Sequence, residues 1–335
     1  MTYVLLIVAL AIILGSAELF TNGVEWLGRR YNMGEGAVGS VLAAVGTAMP
    51  ETLVPLIAIV FVGGVSSDEV GIGAILGAPF MLSTLAMFVT ATAILVFTAT
   101  KRRTRKVTIN EPVMTRDLSH FLISYVIAIS VGLITTVTTV PEWARIVVAI
   151  GLIGFYAYYV FETMRSEGDL GEECKPLYLH RHPVMPARHR IFLQIAIALA
   201  GIIIGADIFV REVQIVSESL GISALILSLL ITPIATELPE KFNSVIWIRQ
   251  RKDTLALGNI TGAMVFQATF PVSIGMLFTE WKLDQVGIVS GALAILSGVI
   301  LYITLRTKHS LHWESLMACG ALYIIYLVYV FGWMV

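Results

Sequence analysis

The chain has 335 residues, of which 57% are hydrophobic and 13% are charged, and its formal net charge is −1. Soluble domains carry about 25% charged residues, so this composition excludes an ordinary soluble domain and indicates an integral membrane protein. The two cysteines, Cys174 and Cys319, lie far apart without a CxxC motif, which argues against a disulfide framework and against a zinc site.

Ten apolar runs are long enough to cross a lipid bilayer as helices. A spanning helix needs about 20 mostly apolar residues, because the rise per residue is ~1.5 Å and the hydrocarbon core is ~30 Å thick. The first run has no preceding basic region and no small-residue cleavage site, so we expect it to be retained as a helix. In chain order the predicted spans are 3–25, 36–62, 71–97, 118–139, 144–162, 191–217, 222–248, 255–279, 284–304 and 313–334.

The distribution of lysine and arginine predicts the orientation of these helices. With ten spans, 18 of the 22 basic residues lie in loops on one side, whereas the other side has Arg145 and Lys282. Cytoplasmic loops are enriched in Lys and Arg, so the side rich in basic residues is predicted to be cytoplasmic. We therefore expect a multi-pass protein of the cell membrane with both termini outside the cytoplasm.

A polar segment, 163–190, divides the chain into two halves of five predicted helices each, 1–162 and 191–335. Because five is an odd number, the second half must enter the membrane from the side opposite to the first. The predicted fold class is therefore an all-α integral membrane protein with ten transmembrane helices in two inverted five-helix repeats. Segment 163–190 is predicted to be a cytoplasmic linker, and inverted repeats are typical of secondary transporters.

The two halves share motifs at nearly constant spacing. An offset of 189 residues aligns GTAMPE (46–51) with ATELPE (235–240). An offset of 185 residues aligns GAILG (73–77) with GNITG (258–262), and we attribute the difference to a longer loop around GGVSSDE in the first half. Glycine pairs at this spacing let helices approach closely, so we expect helices three and eight to pack against helices two and seven.

The repeated Pro-Glu motifs predict a cation site where helices two and seven are broken. Proline removes a backbone donor, and the carbonyl oxygens that this frees find no partner in lipid. A hard cation such as Ca²⁺ would satisfy them, since it takes about six to eight oxygen ligands. Glu51 and Glu240 would supply negative charge, and Thr47 and Thr236 would supply hydroxyl oxygens. A glutamate inside a membrane helix can also be structural, but two symmetric copies favour the functional interpretation.

Five other polar residues in predicted helices leave two interpretations open. Gln267 would reach the site or form a hydrogen bond to a neighbouring helix. Glu237 and Lys241 are four residues apart, as are Asp207 and Arg211, so the members of each pair share a helix face. Each pair is either a structural salt bridge that neutralises charge or part of ion coupling, with Lys241 as a tethered cation and Glu237 as a proton carrier.

These motifs resemble those of the cation/Ca²⁺ antiporter superfamily, which includes the sodium/calcium exchangers. That family pairs G-T-S-L-P-E with G-N-x-x-G-S-N-x-F-N/D in each half, and the matching pieces here are GTAMPE with GAILGAPFML and ATELPE with GNITGAMVFQ. The resemblance implies ten helices with long, sliding first and sixth helices, and exchange of Ca²⁺ against Na⁺, K⁺ or H⁺. It also implies that Glu51 and Glu240 are central cation ligands, with Thr47 and Thr236 beside them.

The chain departs from the family pattern at several oxygen ligands. The replacements are Ala48 and Glu237 for the serine of the first motif, Ala78 and Ala263 for the serine of the second, and Leu82 and Gln267 for its final Asn/Asp. Most of the lost oxygens are those expected to help bind Na⁺. The counter-ion is therefore open between Na⁺ and H⁺.

The expected function is secondary active cation antiport, in the first place exchange of Ca²⁺ against Na⁺ by alternating access, and not enzymatic catalysis. The alternatives are a proton-coupled divalent cation exchanger for Ca²⁺ or Mg²⁺, and a cation sensor without transport. No HExxH motif is present, and the six histidines lie in loops or at predicted helix ends. We expect inorganic cations and the lipid bilayer as partners, no nucleic acid, and a monomer.

Overall fold

A computed structural model of the chain describes residues 2–30, 49–166, 176–180 and 186–333. Within these ranges the regular structure is helical, and the strand pairing consists of one isolated bridge between Leu177 and His180. We number the helices α1 to α10 in the order of the predicted spans.

The helix bounds follow the predicted spans in order. Two of the ten helices, α3 and α8, consist of consecutive segments, and α2 ends in a π-helical segment. The bounds are Thr2–Arg30 (α1), Met49–Leu56 with π-helical Ile57–Val62 (α2), Val65–Met81, π-helical Leu82–Ala86 and Met87–Ala99 (α3), Glu111–Val137 (α4), Glu142–Ser166 (α5), Arg188–Leu220 (α6), Ala224–Arg249 (α7), Asp253–Gln267 and Phe270–Phe278 (α8), Gln285–Lys308 (α9) and Trp313–Trp333 (α10).

The helices have the length and composition of a multi-pass membrane protein. Eight of them are long and apolar enough to cross a membrane, and α2 and α7 contain the shorter apolar stretches Pro50–Val62 and Ala224–Ile234 within the described part of the chain. Helix α4 begins at Glu111, earlier than predicted. The Asn110 side chain caps this helix by accepting a hydrogen bond from the Val113 amide at 3.3 Å.

The connection between α2 and α3 contradicts one prediction. It consists of Gly63 and Gly64, whose φ angles of 67° and 95° favour glycine. The corresponding connection in the second half, residues 250–252, is longer, so the predicted longer loop around GGVSSDE is wrong. The additional residues of the first half lie in helices instead, in part in the wider π-helical turn Ile57–Val62 that ends α2.

The contacts between α3 and α7 show that equivalent helices are inverted. Gly73 lies against the carbonyl oxygen of Leu225, and Gly77 lies against that of Leu229, so residue numbers increase together and the two helices are parallel. Helix α2 is joined to α3 by a two-residue turn and therefore runs in the opposite direction. As a result, α2 is antiparallel to α7, which is its counterpart in the second half.

Helices α1 and α6 form a long antiparallel pair with small residues between them. Gly201 of α6 lies against Ser16 of α1, and Gly205 lies against the Ala9 carbonyl oxygen, where a Cβ would be 3.2 Å away. With 29 and 33 residues, these are the longest uninterrupted helices in the described ranges. Such faces allow close helix contact without interlocking side chains.

Part of the predicted linker is attached to this helix pair. The Tyr178 amide donates to the Asn22 side-chain oxygen at 3.3 Å, and the Leu179 amide donates to the Gln194 side-chain oxygen at 3.0 Å. The Gln194 side-chain nitrogen in turn donates to the Leu19 carbonyl oxygen at 2.9 Å. Residues 176–180 therefore hold the facing ends of α1 and α6 together.

Candidate cation site

The four helices that carry the repeated motifs are in contact with one another. Helix α3 packs along α7, α8 contacts both of them, and the described part of α2 contacts α3, α7 and the second segment of α8. The motif residues therefore belong to one bundle, although each half contributes them from separate positions in the sequence.

Two carboxylates of this bundle are buried. Glu51 on α2 is 4% exposed and Glu237 on α7 is 2% exposed. Burial of a carboxylate is costly unless it is paired, hydrogen-bonded or bound to a cation, so both are functional candidates. The side chains of Glu240 and Lys241 and all of Thr47 lie outside the described part of the chain. The predicted Glu237–Lys241 pair therefore stays a prediction.

Three hydroxyl side chains lie about one turn apart along α7, the last of them at the candidate site. Ser228 donates to the Val70 carbonyl oxygen at 2.7 Å and lies 3.0 Å from the Thr232 hydroxyl. One turn further, Thr236 is 3% exposed and donates to the Thr232 carbonyl oxygen at 3.0 Å. Because this bond uses the hydroxyl proton, the lone pairs of the Thr236 oxygen remain available to a cation.

Gln267 is the one predicted ligand with a demonstrably free oxygen among the described side chains. It is 2% exposed, and its Oε1 atom is buried without a hydrogen-bond partner. Buried polar atoms are nearly always hydrogen-bonded, so an unsatisfied amide oxygen needs an explanation. The oxygen makes no hydrogen bond to a neighbouring helix, and the arrangement is compatible with a cation ligand.

Helix irregularities occur at equivalent positions in the two halves. At Leu82, α3 changes from an α-helix to a π-helix, and α8 is interrupted at Ala268 and Thr269, directly after Gln267. Leu82 and Gln267 correspond under the 185-residue offset. Since π-helical turns frequently occur at functional sites, both irregularities support a site at this level of the bundle.

Helix α7 continues from Ala224 to Arg249 through Pro233 and Pro239. The helix is not interrupted at the predicted break. Instead, two backbone hydrogen bonds are missing, because each proline lacks the N–H group that would donate to the carbonyl four residues earlier. For Pro239 that carbonyl belongs to Ala235. The corresponding carbonyls of the first half, in residues 46–48, lie outside the described ranges.

The pair Asp207–Arg211 forms the salt bridge expected from its spacing, with 3.0 Å between Arg211 Nε and Asp207 Oδ2. Both side chains are exposed on α6, at 41% for Asp207 and 62% for Arg211. This position favours the structural interpretation over a buried coupling role. Among the described side chains, no group of three or more His, Cys, Asp or Glu residues could hold a metal ion. The side chain of Glu240 lies outside this set.

Two buried carboxylates were not among the predicted site residues. Glu212 on α6 is 9% exposed, and its Oε2 atom has no hydrogen-bond partner. Asp117 on α4 is 2% exposed and accepts hydrogen bonds from Thr261 of α8 at 2.7 Å and Tyr159 of α5 at 3.0 Å. Glu212 lies inside the predicted span 191–217, where an acidic residue is a functional candidate by default, whereas Asp117 precedes the predicted span 118–139 and has no such signal.

Comparison with known proteins places these observations in a family. The family model described as sodium/calcium exchanger protein matches residues 1–164 and 190–332. The inner membrane protein YrbG of Escherichia coli (strain K12) is 23% identical over 280 residues, which cover 84% of this chain and 81% of YrbG. The uncharacterized membrane protein MJ0091 of Methanocaldococcus jannaschii is 19% identical over 309 residues, which cover 92% of this chain and 91% of MJ0091.

Solved structures show the same fold. The crystal structure of the H⁺/Ca²⁺ exchanger CAX matches with a TM-score of 0.77 at 14% identity, covering 98% of this chain and 82% of that chain. The sodium-calcium exchanger NCX_Mj, soaked with 100 mM Na⁺ and 10 mM Sr²⁺, matches with a TM-score of 0.60 at 18% identity, covering 98% and 97%. These likenesses confirm the predicted fold, an all-α membrane protein with ten helices in two inverted five-helix repeats.

Proposed function

Since the chain belongs to the sodium/calcium exchanger protein family, we propose that it is a secondary active antiporter that exchanges Ca²⁺ against a monovalent cation by alternating access. The observation that carries this proposal is the burial of Glu51 and Glu237 on motif helices that contact each other. Buried acidic groups inside membrane helices are costly unless they serve ions or protons, and an exchanger requires such a site near the midplane.

We propose that Ca²⁺, as the transported substrate, is held by oxygen atoms from both repeats. Glu51 and Glu240 supply negative charge, Thr47 and Thr236 supply hydroxyl oxygens, and Gln267 supplies an amide oxygen. The lone pairs of Thr236 and the free Oε1 of Gln267 support this set. Together with carbonyl oxygens near the prolines and with water, they make up the about six to eight oxygen ligands that Ca²⁺ prefers.

The proposed alternating access uses the α1–α6 pair as the moving part. Its small-residue interface holds α1 to α6, and α6 contacts the motif helices α2, α3 and α7. Movement of the pair along these helices would open the site to one side and then to the other. In this proposal, residues 1–162 and 191–335 are the two repeats, 163–190 is the cytoplasmic linker, and both termini lie outside the cytoplasm of a cell-membrane protein.

A specific observation favours H⁺ over Na⁺ as the counter-ion. Glu237 takes the place of a family serine and is 2% exposed, whereas Ala78, Ala263 and Leu82 provide no side-chain oxygen. A buried carboxylate takes up and releases a proton, which a serine does not do at physiological pH. The substitutions therefore remove neutral ligands suited to Na⁺ and add a group suited to H⁺.

The test is tracer Ca²⁺ uptake into proteoliposomes under an imposed Na⁺, K⁺ or H⁺ gradient. We expect one gradient to drive uptake, with H⁺ as the first candidate, and Glu51→Gln to abolish it in a folded protein. Glu142→Gln serves as the matched control, because Glu142 is exposed at the start of α5 and should leave uptake unchanged. Absence of flux under every gradient would favour the cation sensor and overturn the antiporter, and uptake by Glu51→Gln at the unaltered rate would overturn the site.

A further inference from the structure

One buried carboxylate ties three helices together outside the proposed cation site. Asp117 of α4 accepts a hydrogen bond from the Thr261 hydroxyl of α8 at 2.7 Å on Oδ2 and from the Tyr159 hydroxyl of α5 at 3.0 Å on Oδ1. The Arg116 guanidinium lies 3.3 Å from Oδ1 and also covers the Tyr159 ring at 5.4 Å. The contacts of Thr261, Tyr159 and Arg116 with the carboxylate use Asp117 as the acceptor, so they are strongest when it is ionised.

The contact reaches α8 at its glycine motif. Thr261 lies between Gly258 and Gly262, where Cβ atoms would be 3.4 Å from Met114 and 3.5 Å from the Tyr159 hydroxyl. The Thr261 hydroxyl has a second acceptor, the Gly258 carbonyl oxygen at 3.4 Å. It can therefore turn between Asp117 and its own helix, and the bond to Asp117 is the shorter of its two contacts with α4, the other being Met114 Sδ at 3.9 Å.

A cavity lies beside this cluster at one end of the helices. This cavity of about 460 Å³ is lined in part by Arg116, His120, Glu162 and Arg306, at helix ends predicted to be cytoplasmic. Arg116 thus contacts both the cavity and the buried Asp117 carboxylate. One turn along α4, His120 Nδ1 lies 2.9 Å from the Arg116 carbonyl oxygen and must donate to it, so Nε2 is the ring nitrogen that faces Glu162.

His120 lies between an acidic and an aromatic neighbour of α5 beside the cavity. Nε2 lies 3.7 Å from Glu162 Oε2, and the ring stacks on Phe155 with 4.8 Å between centroids. The titratable and charged groups around Asp117 and His120 come from three helices: Glu111 and Arg116 from α4, Tyr158, Tyr159 and Glu162 from α5, and Arg306 from α9. Helix α8 contributes the uncharged Thr261.

We propose that Asp117 is a positioning residue that tightens the contact of α8 with α4 when it is ionised and loosens that contact when it is protonated, with protons reaching it through the cavity that Arg116 lines. On protonation, a proton delivered through the cavity binds one Asp117 oxygen, and the neutral carboxyl becomes a weaker acceptor for Thr261 and loses its ion pair with Arg116. The Thr261 hydroxyl then turns to the Gly258 carbonyl oxygen. Because Gln267 lies on the same helix segment, this loosening would change the position of its amide oxygen.

The consequence for transport rests on the proposed antiporter function, so the first test does not use transport. Hydrogen exchange of residues 253–267 is measured in the purified full chain, with intrinsic rates corrected for pH. In the wild type we expect protection at the lower of two measured pH values to be about tenfold below that at the higher one. Asp117→Asn, which mimics the protonated acid in shape, should be poorly protected at both pH values.

Two further variants isolate the contact itself. Thr261→Val keeps the volume but removes the hydroxyl, and we expect low, pH-independent protection, whereas Thr261→Ser should restore the wild-type response. Glu142→Gln removes an exposed charge from α5 and should leave the response unchanged. If either Asp117→Asn or Thr261→Val retains the wild-type pH response, the inference is wrong. One purified variant of the two is therefore enough for the test.

The transport measurement then tests the link to the site. We expect the pH profile of Ca²⁺ exchange to flatten in Asp117→Asn, whereas Glu51→Gln loses exchange at every pH. An unchanged pH profile in Asp117→Asn would overturn the link between α8 position and transport. If the wild type itself shows no flux, the proposed antiporter fails, and the hydrogen-exchange result still decides the role of Asp117.

Discussion

Gly77 of α3 lies directly against the carbonyl oxygen of Leu229 of α7, and Pro233 deprives that same carbonyl of its helical donor. A Cβ atom at residue 77 would overlap this oxygen and would lie 2.7 Å from Pro233 Cγ. The glycine therefore does two things at once. It brings the two backbones together, and it shields from lipid a carbonyl that the proline leaves without a partner.

Gly77→Ala should destabilise the protein because the added methyl group meets backbone and not a flexible side chain. We expect a loss of about 1–3 kcal/mol in the free energy of unfolding, as for other overpacked positions. Thermal unfolding in detergent measures it. Gly154→Ala on α5 is the matched control, since nothing lies within 4 Å of a Cβ there. Equal melting temperatures for Gly77→Ala and Gly154→Ala would contradict the close contact.

Much of this fold was predictable from the hydropathy of the segments, because length and apolarity decide which segments can cross a bilayer. The odd number of helices in each half predicted that the two halves are inverted. The course of α7 was harder to predict, since proline removes a hydrogen bond without fixing whether the helix continues. The same holds for the Gly63–Gly64 turn, where the additional residues of the first half are taken up by helices. Such local choices depend on packing that one sequence does not display.

The candidate site was predictable only where a motif repeats. Glu51 and Thr236 stand out because the same residue recurs at a fixed offset, whereas Glu237 and Gln267 stand out because they depart from the family motif within a repeated segment. The structure buries all four. Asp117 has no such counterpart, and its partners lie on α5 and α8, 42 and 144 residues away. Contacts over such separations are created by the fold, so they leave no local pattern in the sequence.

The loop between α3 and α4 is fastened to α8 by a buried ion pair. Arg103 is 4% exposed and Asp253 is 2% exposed, and two hydrogen bonds of 2.7 and 2.9 Å join them. Arg103→Ala should cost about 3–5 kcal/mol of folding free energy, because it leaves a buried charge unpaired. Chemical denaturation of the purified protein checks this expectation.

The double variant Arg103→Met with Asp253→Leu separates pairing from packing. It should be more stable than either single variant, since no charge is left unpaired. Arg211→Ala removes one partner of an exposed pair on α6 and should cause no measurable change. A loss for Arg211→Ala as large as for Arg103→Ala would contradict the role assigned to burial.

Gln267 and Gln194 should respond in opposite ways to replacement by leucine. Gln267 Oε1 has no partner to lose, so Gln267→Leu should leave the melting temperature unchanged or raise it. It should weaken Ca²⁺ binding about tenfold, because one oxygen ligand is removed. Isothermal titration with Ca²⁺ and thermal unfolding measure the two effects.

Gln194→Leu provides the matched comparison on α6. Its amide bonds to the Leu179 amide, the Leu19 carbonyl oxygen and the Asn22 side chain at 2.9–3.0 Å, and their loss should lower the melting temperature without affecting Ca²⁺ affinity. A drop in stability for Gln267→Leu with unchanged Ca²⁺ affinity would assign Gln267 to helix packing instead of the cation site.

Helix α6 contacts the motif helix α3 through a side-chain hydrogen bond that would break if the α1–α6 pair moved along α3. Gln214 Nε2 donates to Ser67 Oγ of α3 at 2.7 Å. In a background without the native cysteines, Ser67→Cys with Gln214→Cys should therefore be joined by a short thiol crosslinker. We expect the crosslink to abolish Ca²⁺ exchange and a reducing agent to restore it, because the pair can no longer move along α3. Each single cysteine variant, treated with the same crosslinker, should retain exchange. Full exchange in the crosslinked double variant would show that α6 does not move relative to α3 during transport, and alternating access would then require a different moving part.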